Sequence, residues 1–450
     1  MDVNVFDIKQ GVSINIFIKR NQNKEEAKVN YYDLFGTREE KYDFLISNSI
    51  KNLEWIPLNN IEQDSCLGKF RFFTPKAYEN IDEYCSAWSL EKMYLTKNNG
   101  IKTDRDKLVY DITKETLASR MKIFYSNDGV APPFREIYSI ENSSSYDLLG
   151  KRKKTSYDIK NIIRSLYRPF DILWLYYSQN FTSRPAWEVV SHMLNIGNIG
   201  LITTRVSTDD WDCFVTNTAC GHKSCAAYDI NTLFPLYIYT FPEETKGTLF
   251  EQQETTREAN LSTAFITAMS QALGLSFIED GQGDLVSNFG PEDVFYYTYS
   301  VFHSPTYRSR YAEFLKIDFP RLPITSNLPL FRNLVYLGKE LVDFHLLRTP
   351  RVDQFITGYP IAGDHLVEKV QYASGNVWIN PKQYFEGVLE EVWKFKIGGY
   401  QVCDKWLKDR KGRKLSGEDI NHYQRVVVAL KKTIRLMAEV DSAIPGWPIE

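Results

Sequence analysis

Cys213, Cys220, His222 and Cys225 lie close together and are of the types that hold zinc. Their spacing, C-x6-C-x-H-x2-C, is not that of a zinc knuckle, and no CxxC pair accompanies it, so no metal site is expected. Asp229 with Glu244-Thr245-Lys246 has the residue types of a metal-dependent nuclease, again without a supporting motif. Ala131-Pro132-Pro133-Phe134 has the Pro-Pro-aromatic form of an amino-methyltransferase loop. The position before the prolines should accept a hydrogen bond from the target amine, and alanine has no acceptor. An ordinary proline turn is expected there. Asn195 to Gly200 carries two glycines without the G-x-G-x-x-G spacing, and Gly281-x-Gly283 lacks the third glycine. His303 and His345 fall on aromatic or apolar faces, where a hydrogen-bonded core histidine is the default. The residues therefore predict no catalytic centre and no cofactor within this chain.

Basic clusters say more. Lys151-Arg152-Lys153-Lys154 is read as a loop, and six cations (Lys405, Lys408, Arg410, Lys411, Arg413, Lys414) face one carboxylate, Asp409. Arg164, Arg168, Arg184, Arg205, Arg308, Arg310 and Arg321 stand beside prolines or hydroxyls and are read as turn arginines. Charge runs are commonly solvated faces. Interleaving with Tyr, Trp and Ser/Thr adds a second meaning, contact with DNA phosphates. The expected DNA contacts are Lys151, Arg152, Lys153, Lys154, Arg168, Arg184, Arg205, Arg308, Arg310, Lys408, Arg410, Lys411 and Arg413. Arg205, Arg308 and the 151–154 loop stand foremost among them.

The elements that must position these groups follow from pattern. The chain has 450 residues, enough for two or three domains, and 14% of them are aromatic. Its net charge of −3 allows only a local basic face. No stretch approaches the ~18 apolar residues of a membrane span, and the first residues lack a signal-peptide layout. Six irregularly spaced cysteines fit reduced thiols, and a cytoplasmic protein is expected. Residues 12–18 alternate with period two, and 27–34 read as a second strand, so a hairpin is expected that must complete a larger sheet. Arg38 to Ser49 reads as a helix capped by Thr37. Residues 234–239 read as a strand, and 294–303 and 334–347 as helices. Residues 141–145 and 281–284 read as loops. Ser416 and Asp419 form a capping-box pattern ahead of an apolar stripe from Ile420 to Met437.

Longer strings carry a resemblance. Val5-Phe6-Asp7-Ile8-x-Gln10-Gly11-Val12 resembles the late strands of an N6-adenine DNA methyltransferase domain. There follow Asp33-Leu34-x-Gly36-Thr37-Arg38, Tyr167-Arg168-Pro169-Phe170-Asp171, Ile202-Thr203-Thr204-Arg205, His303-Ser304-Pro305-x-Tyr307-Arg308, Asp318-Phe319-Pro320-Arg321 and Ile397-Gly398-Gly399-Tyr400. In this order the strings resemble the C-terminal specificity region of Type ISP restriction–modification enzymes, over essentially the whole chain. The resemblance implies a mixed α/β (α+β) fold: methyltransferase strands at 1–55, a target recognition region at 56–380 and a helical C-terminal unit at 381–450. It implies double-stranded DNA as partner, together with methyltransferase, helicase and nuclease parts of the same system. S-adenosylmethionine would belong to that methyltransferase part, because the sequence has no cofactor glycine loop and no Asn-Pro-Pro-Tyr loop. Two other readings stay open: half of a split adenine methyltransferase, and a protein-interaction module that does not bind DNA.

Overall fold

The computed structural model describes residues 2–6, 8, 12–19, 28–58, 66–68, 70, 72–75, 79–194, 197–240 and 256–449. The chain forms two compact units, Met1–Cys85 and Ser86–Glu450. The architecture is mixed α/β, with many helices around several small sheets. Among the described residues no helix is long and apolar enough to cross a membrane.

In the first unit, Thr37 caps the helix Arg38–Ser47 as its sequence predicts, and Glu40 closes the capping box. The expected hairpin is not formed. Residues 12–19 carry no strand, and Asn30–Tyr31 pairs instead with Ile56–Pro57. Part of the link, 20–27, lies outside the described residues. Ile14, Ile16 and Ile18 are left 74%, 58% and 76% exposed, so the period-two pattern has no sheet to join here. Cys66 and Cys85 are joined in a disulfide, with Cα atoms 5.3 Å apart, within bonding reach and contrary to the expected all-reduced thiols. The other four cysteines are free and buried.

The second unit is built on two four-stranded sheets. One runs Ala219–Cys220, Ile162–Arg168, Asp171–Tyr176, Tyr110–Asp111; the other runs Asn98–Asn99, Asn231–Pro235, Gly200–Thr204, Cys213–Thr216. The single strand expected at 234–239 is two, because the chain leaves this sheet after Pro235 and pairs again at Tyr237–Thr240 with Thr256–Ala259. The hairpin linking Ile162–Arg168 to Asp171–Tyr176 turns on Pro169-Phe170. Proline favours the first central position of a type II turn, and the second requires positive φ, which Phe170 adopts at 62°. A phenylalanine there is strained. Packing holds it: the ring lies edge-on to Phe214 and His345, and the carbonyl accepts from Nε2 of His422 at 2.8 Å.

Three helices back the sheets. Pro291–Phe302 is buried almost all round and starts at Gly290, where Asp293 accepts from the Gly290 amide. Leu328–His345 crosses it so closely that a Cβ on Gly338 would lie 1.8 Å from the Tyr296 carbonyl oxygen, so only glycine fits. The helix Gly417–Ala443, capped by Ser416 and Asp419 as the sequence indicates, packs on Leu328–His345. It lies within the compact unit Ser86–Glu450. One hydrogen-bond chain crosses all three helices: Tyr299 Oη to His345 Nδ1 (2.5 Å), His345 Nε2 to Thr433 Oγ1 (2.8 Å), Thr433 Oγ1 to the Ala429 carbonyl (2.8 Å). The Thr433 hydroxyl donates to the carbonyl, so His345 carries its proton on Nε2 and accepts at Nδ1.

Buried ion pairs tie distant segments. Arg410 grips Asp171 with two bonds, at 2.9 and 3.3 Å, and both side chains are almost fully buried. Arg120 pairs with Asp111 in the same buried way, and Arg308 pairs with Asp212 at 2.8 Å with both side chains half-buried. Such pairs offer modest net stability while intact, but removing one partner strands a charge.

Two outcomes are expected. Arg410→Met lowers unfolding free energy by about 3–5 kcal/mol in urea titration, and adding Asp171→Leu recovers most of it; a loss below about 1 kcal/mol would contradict the buried pair. Burial pushes His345 down to about 3. Below the ordinary histidine value of about 6.5, the unfolded chain binds a proton that the folded chain refuses, so stability falls as pH drops from 7 to 5. His303, His192, His222 and His422 are also held below the ordinary histidine value by burial and add to the slope. His345 alone contributes at most about 1.4 kcal/mol per pH unit, so the slope will be shallower by up to that amount in His345→Gln. Equal slopes in both proteins would remove His345 from the account.

Candidate nucleic-acid interface

A cleft of about 970 Å³ opens in the second unit where the first sheet meets the C-terminal segment. Its floor is the outer face of the hairpin, with Arg164, Leu166 and Ile172. One wall carries Thr216 and Asn217, at the end of a strand of the second sheet. The other wall is the segment from Arg410 to Arg425. Strand alternation and the Arg164↔Trp174 register put these two side chains on one face. The Arg164 guanidinium lies 4.9 Å from the centre of the Trp174 ring, and Lys114 Nζ lies 5.2 Å from the same ring. Cation–π contact holds both without consuming their donors.

The cations of the cleft divide into two kinds. Arg410 is buried, stacked 3.5 Å over Trp406 and neutralised by Asp171. It shapes the floor rather than facing solvent. Arg413 is 46% exposed and only loosely tethered to Asp111, at 3.4 Å. Arg425 is paired with Asp353 at 2.6 Å. Arg164 and Lys414 are exposed and have no carboxylate within ion-pairing distance among the described residues. Glu418 and Asp419 oppose them at the start of the last helix, where Asp419 is engaged by Ser416. The mouth is therefore a set of arginine and lysine donors on a rigid sheet and strap. It suits an acceptor-rich, anionic partner.

Most of the foremost sequence candidates lie elsewhere. The stretch 151–154 ends the helix Leu148–Lys154 and is not a loop, since Asp147 caps that helix and the cations complement its C-terminal dipole. Lys151 donates to the Thr182 carbonyl, and Arg152 to the carbonyls of Phe124 and Ser126; Lys153 and Lys154 are exposed. Arg308 is half-buried in its ion pair with Asp212 and also donates to the Phe302 carbonyl. Arg205 pairs with Asp318 at 2.8 Å. Arg168 donates to the carbonyls of Tyr167 and Lys223 and stacks on the Tyr167 ring. Arg184 is exposed on a backbone bridge to Lys102, and Arg310 is half-buried at the end of the helix Pro305–Arg310. Lys408 pairs with Asp404, and Lys411 is exposed. Of the expected contacts, the cleft gathers Arg410 and Arg413.

Arg164 is the reverse case. It is not a turn arginine but the third residue of a strand, exposed beside a tryptophan, and the run Ile162-Ile163-Arg164-Ser165-Leu166 carries no period-two alternation that would identify its face. Cys213, Cys220 and Cys225 are buried, and His222 Nδ1 lies 3.1 Å from the Ile101 carbonyl, so the four do not assemble into a site. Among the described residues the group close enough to share an ion is Asp212, Cys213 and His303. There Arg308 already balances Asp212, burial pushes the Cys213 thiol well up, and His303 Nδ1 is engaged by the Tyr299 carbonyl at 2.7 Å. Asp229 accepts from Thr208, and Glu244-Thr245-Lys246 lies outside the described residues.

Comparison with known proteins places this architecture. The family model of the Type ISP C-terminal specificity domain matches residues 92–439. No curated protein matches the chain. Three solved structures are similar over 92–95% of the chain. A nuclease-deletion mutant of the Type ISP restriction–modification enzyme LlaGI, in complex with a DNA substrate mimic, aligns at TM-score 0.65 and 18% identity. A DrdV–DNA complex aligns at 0.66 and 19%, and the ATP-dependent Type ISP enzyme LlaBIII bound to DNA at 0.68 and 17%. The chain spans 40%, 43% and 28% of the length of these three proteins. The strings read from the sequence and the family match agree, and the chain belongs to the Type ISP C-terminal specificity domain family.

Proposed function

We propose that this chain reads a DNA sequence and thereby directs adenine methylation and cleavage by modules outside it. The observation that carries the reading is the division of cations just described. Arg410 is buried and Arg308 half-buried in ion pairs, whereas Arg164, Arg413 and Lys414 gather at one open cleft. Lysine and arginine on such a rim hold phosphates and fix register, and a few donors deeper in the cleft read base edges. The volume, about 970 Å³, is that of a ligand-sized cleft. A duplex would therefore lie across the mouth rather than enter it. The similarity to enzymes solved with DNA supports the same partner. S-adenosylmethionine does not fit this cleft, because its sulfonium cation would face a cationic rim, and we derive no step through it.

The exposed isoleucines at 14, 16 and 18 favour a companion role for the first unit. An unpaired alternating segment adds readily to the open edge of another sheet. We propose that this segment completes the sheet of a methyltransferase module, which would hold the cofactor and the extruded adenine.

Salt titration tests the reading. Binding to a mixed-sequence duplex, followed by fluorescence anisotropy, should weaken steeply with rising salt. The double variant Arg413→Gln/Lys414→Gln should flatten the log–log slope by about 0.9 for each phosphate that is no longer neutralised. Arg205→Gln, at an ion pair away from the cleft, should leave the slope unchanged. Absence of DNA binding at low salt would sink the proposal, and an unaltered slope in the double variant would move the interface away from this cleft.

A further inference from the structure

We infer that Arg164 is a specificity-determining residue that reads a guanine, with Trp174 as the residue that positions it. This rests on the DNA-recognition reading. Arg120, Arg205, Arg308 and Arg410 each have an aspartate partner. Arg164 has no such partner among the described residues, although Asp171 directly follows the Pro169-Phe170 turn of the same hairpin and is engaged by Arg410 instead. Its guanidinium is held by stacking, which fixes direction and leaves the planar donor fork open. Lys114 shares the same indole, so two cations stand together with neither in an ion pair among the described residues and Asp171 acting on Arg164 only from beyond ion-pairing distance, an arrangement relieved by an acceptor-rich partner.

Three features separate base reading from phosphate holding. Arg164 is carried on a strand within a four-stranded sheet, not on a flexible loop, so little ordering entropy is lost on contact. It stands on the floor of the cleft, while Arg413 and Lys414 stand on the strap at its side. The two acceptors on the major-groove edge of guanine, O6 and N7, match an arginine fork, whereas other bases offer no such pair. Parallel pairing of Ala219 with Ser165 also brings the exposed Asn217 near this strand, adding an amide donor and acceptor beside the fork.

The experiment is selection of preferred sites from a random duplex library by the wild-type chain, Arg164→Gln and Arg164→Lys. The wild-type chain should enrich a site with one strongly preferred guanine. Arg164→Gln should lose preference at that position by about 10- to 100-fold and retain the rest of the site. Trp174→Leu should weaken discrimination at the same position without changing the salt slope. A second measurement does not depend on a variant folding: 7-deazaguanine at that position, which lacks the N7 acceptor, should weaken wild-type binding and leave Arg164→Gln binding unaffected. Equal loss by Arg164→Gln on every sequence, with a salt slope lower by about 0.9, would make Arg164 a phosphate contact and overturn the inference. An unchanged preferred site, or indifference of the wild-type chain to 7-deazaguanine, would overturn it as well. Failure of the wild-type chain to enrich any sequence would instead overturn the recognition reading on which it rests.

Discussion

Asp171 and Arg410 are 239 residues apart in the chain and bonded twice in the core. A carboxylate and a guanidinium removed from water demand each other, because either alone would cost several kcal/mol. The pair therefore fixes where the last segment of the chain crosses the hairpin. The strained Phe170 turn, the Trp406 ring beneath Arg410 and the bond from His422 to the Phe170 carbonyl surround the same point. Strain at Phe170 persists because its neighbours over-determine it. The wall of the cleft, from Arg410 to Arg425, is placed by this one junction.

The same constraint sorts the chain's positive charge. Burial of Asp111 and Asp171 requires Arg120 and Arg410 as internal partners, and the half-buried Asp212 takes Arg308. Those cations are withdrawn from any external ligand. The charges left at the surface of the cleft are few, and they act from rigid supports: a strand for Arg164, a strap anchored through Arg410 for Arg413 and Lys414. A chain with a net charge of −3 can in this way present a local basic site. Preorganised donors of this kind reduce the cost of ordering on contact and sharpen discrimination.

Local signals in the sequence suffice for local structure. Thr37 with Glu40, and Ser416 with Asp419, mark helix starts through side chains that satisfy free amides, a rule that needs no distant residue. The helices expected at 294–303 and 334–347 from apolar spacing form, but they begin earlier, at Pro291 and Leu328. Long-range partners are not legible in this way. Arg308 and Arg410 look like surface cations until Asp212 and Asp171 arrive from elsewhere in the chain. Residues 12–18 alternate as a strand should, yet a strand exists only with a neighbour, and the structure pairs Asn30–Tyr31 with Ile56–Pro57 instead. Arg164 reads as a turn residue beside its hydroxyl neighbour, Ser165, because the residues around it do not alternate and its strand is defined by the partner at Trp174. The family strings succeed where single motifs do not, since order along the chain carries long-range information that local chemistry lacks.

The most direct measurement is photo-crosslinking of the intact chain to duplexes carrying 5-iodouracil, followed by mapping of the modified peptides. The account predicts adducts in 164–173, 214–217 and 410–425, three of the segments that line the cleft. Adducts confined to 148–154, or to the surroundings of Arg205 and Arg184, would contradict it.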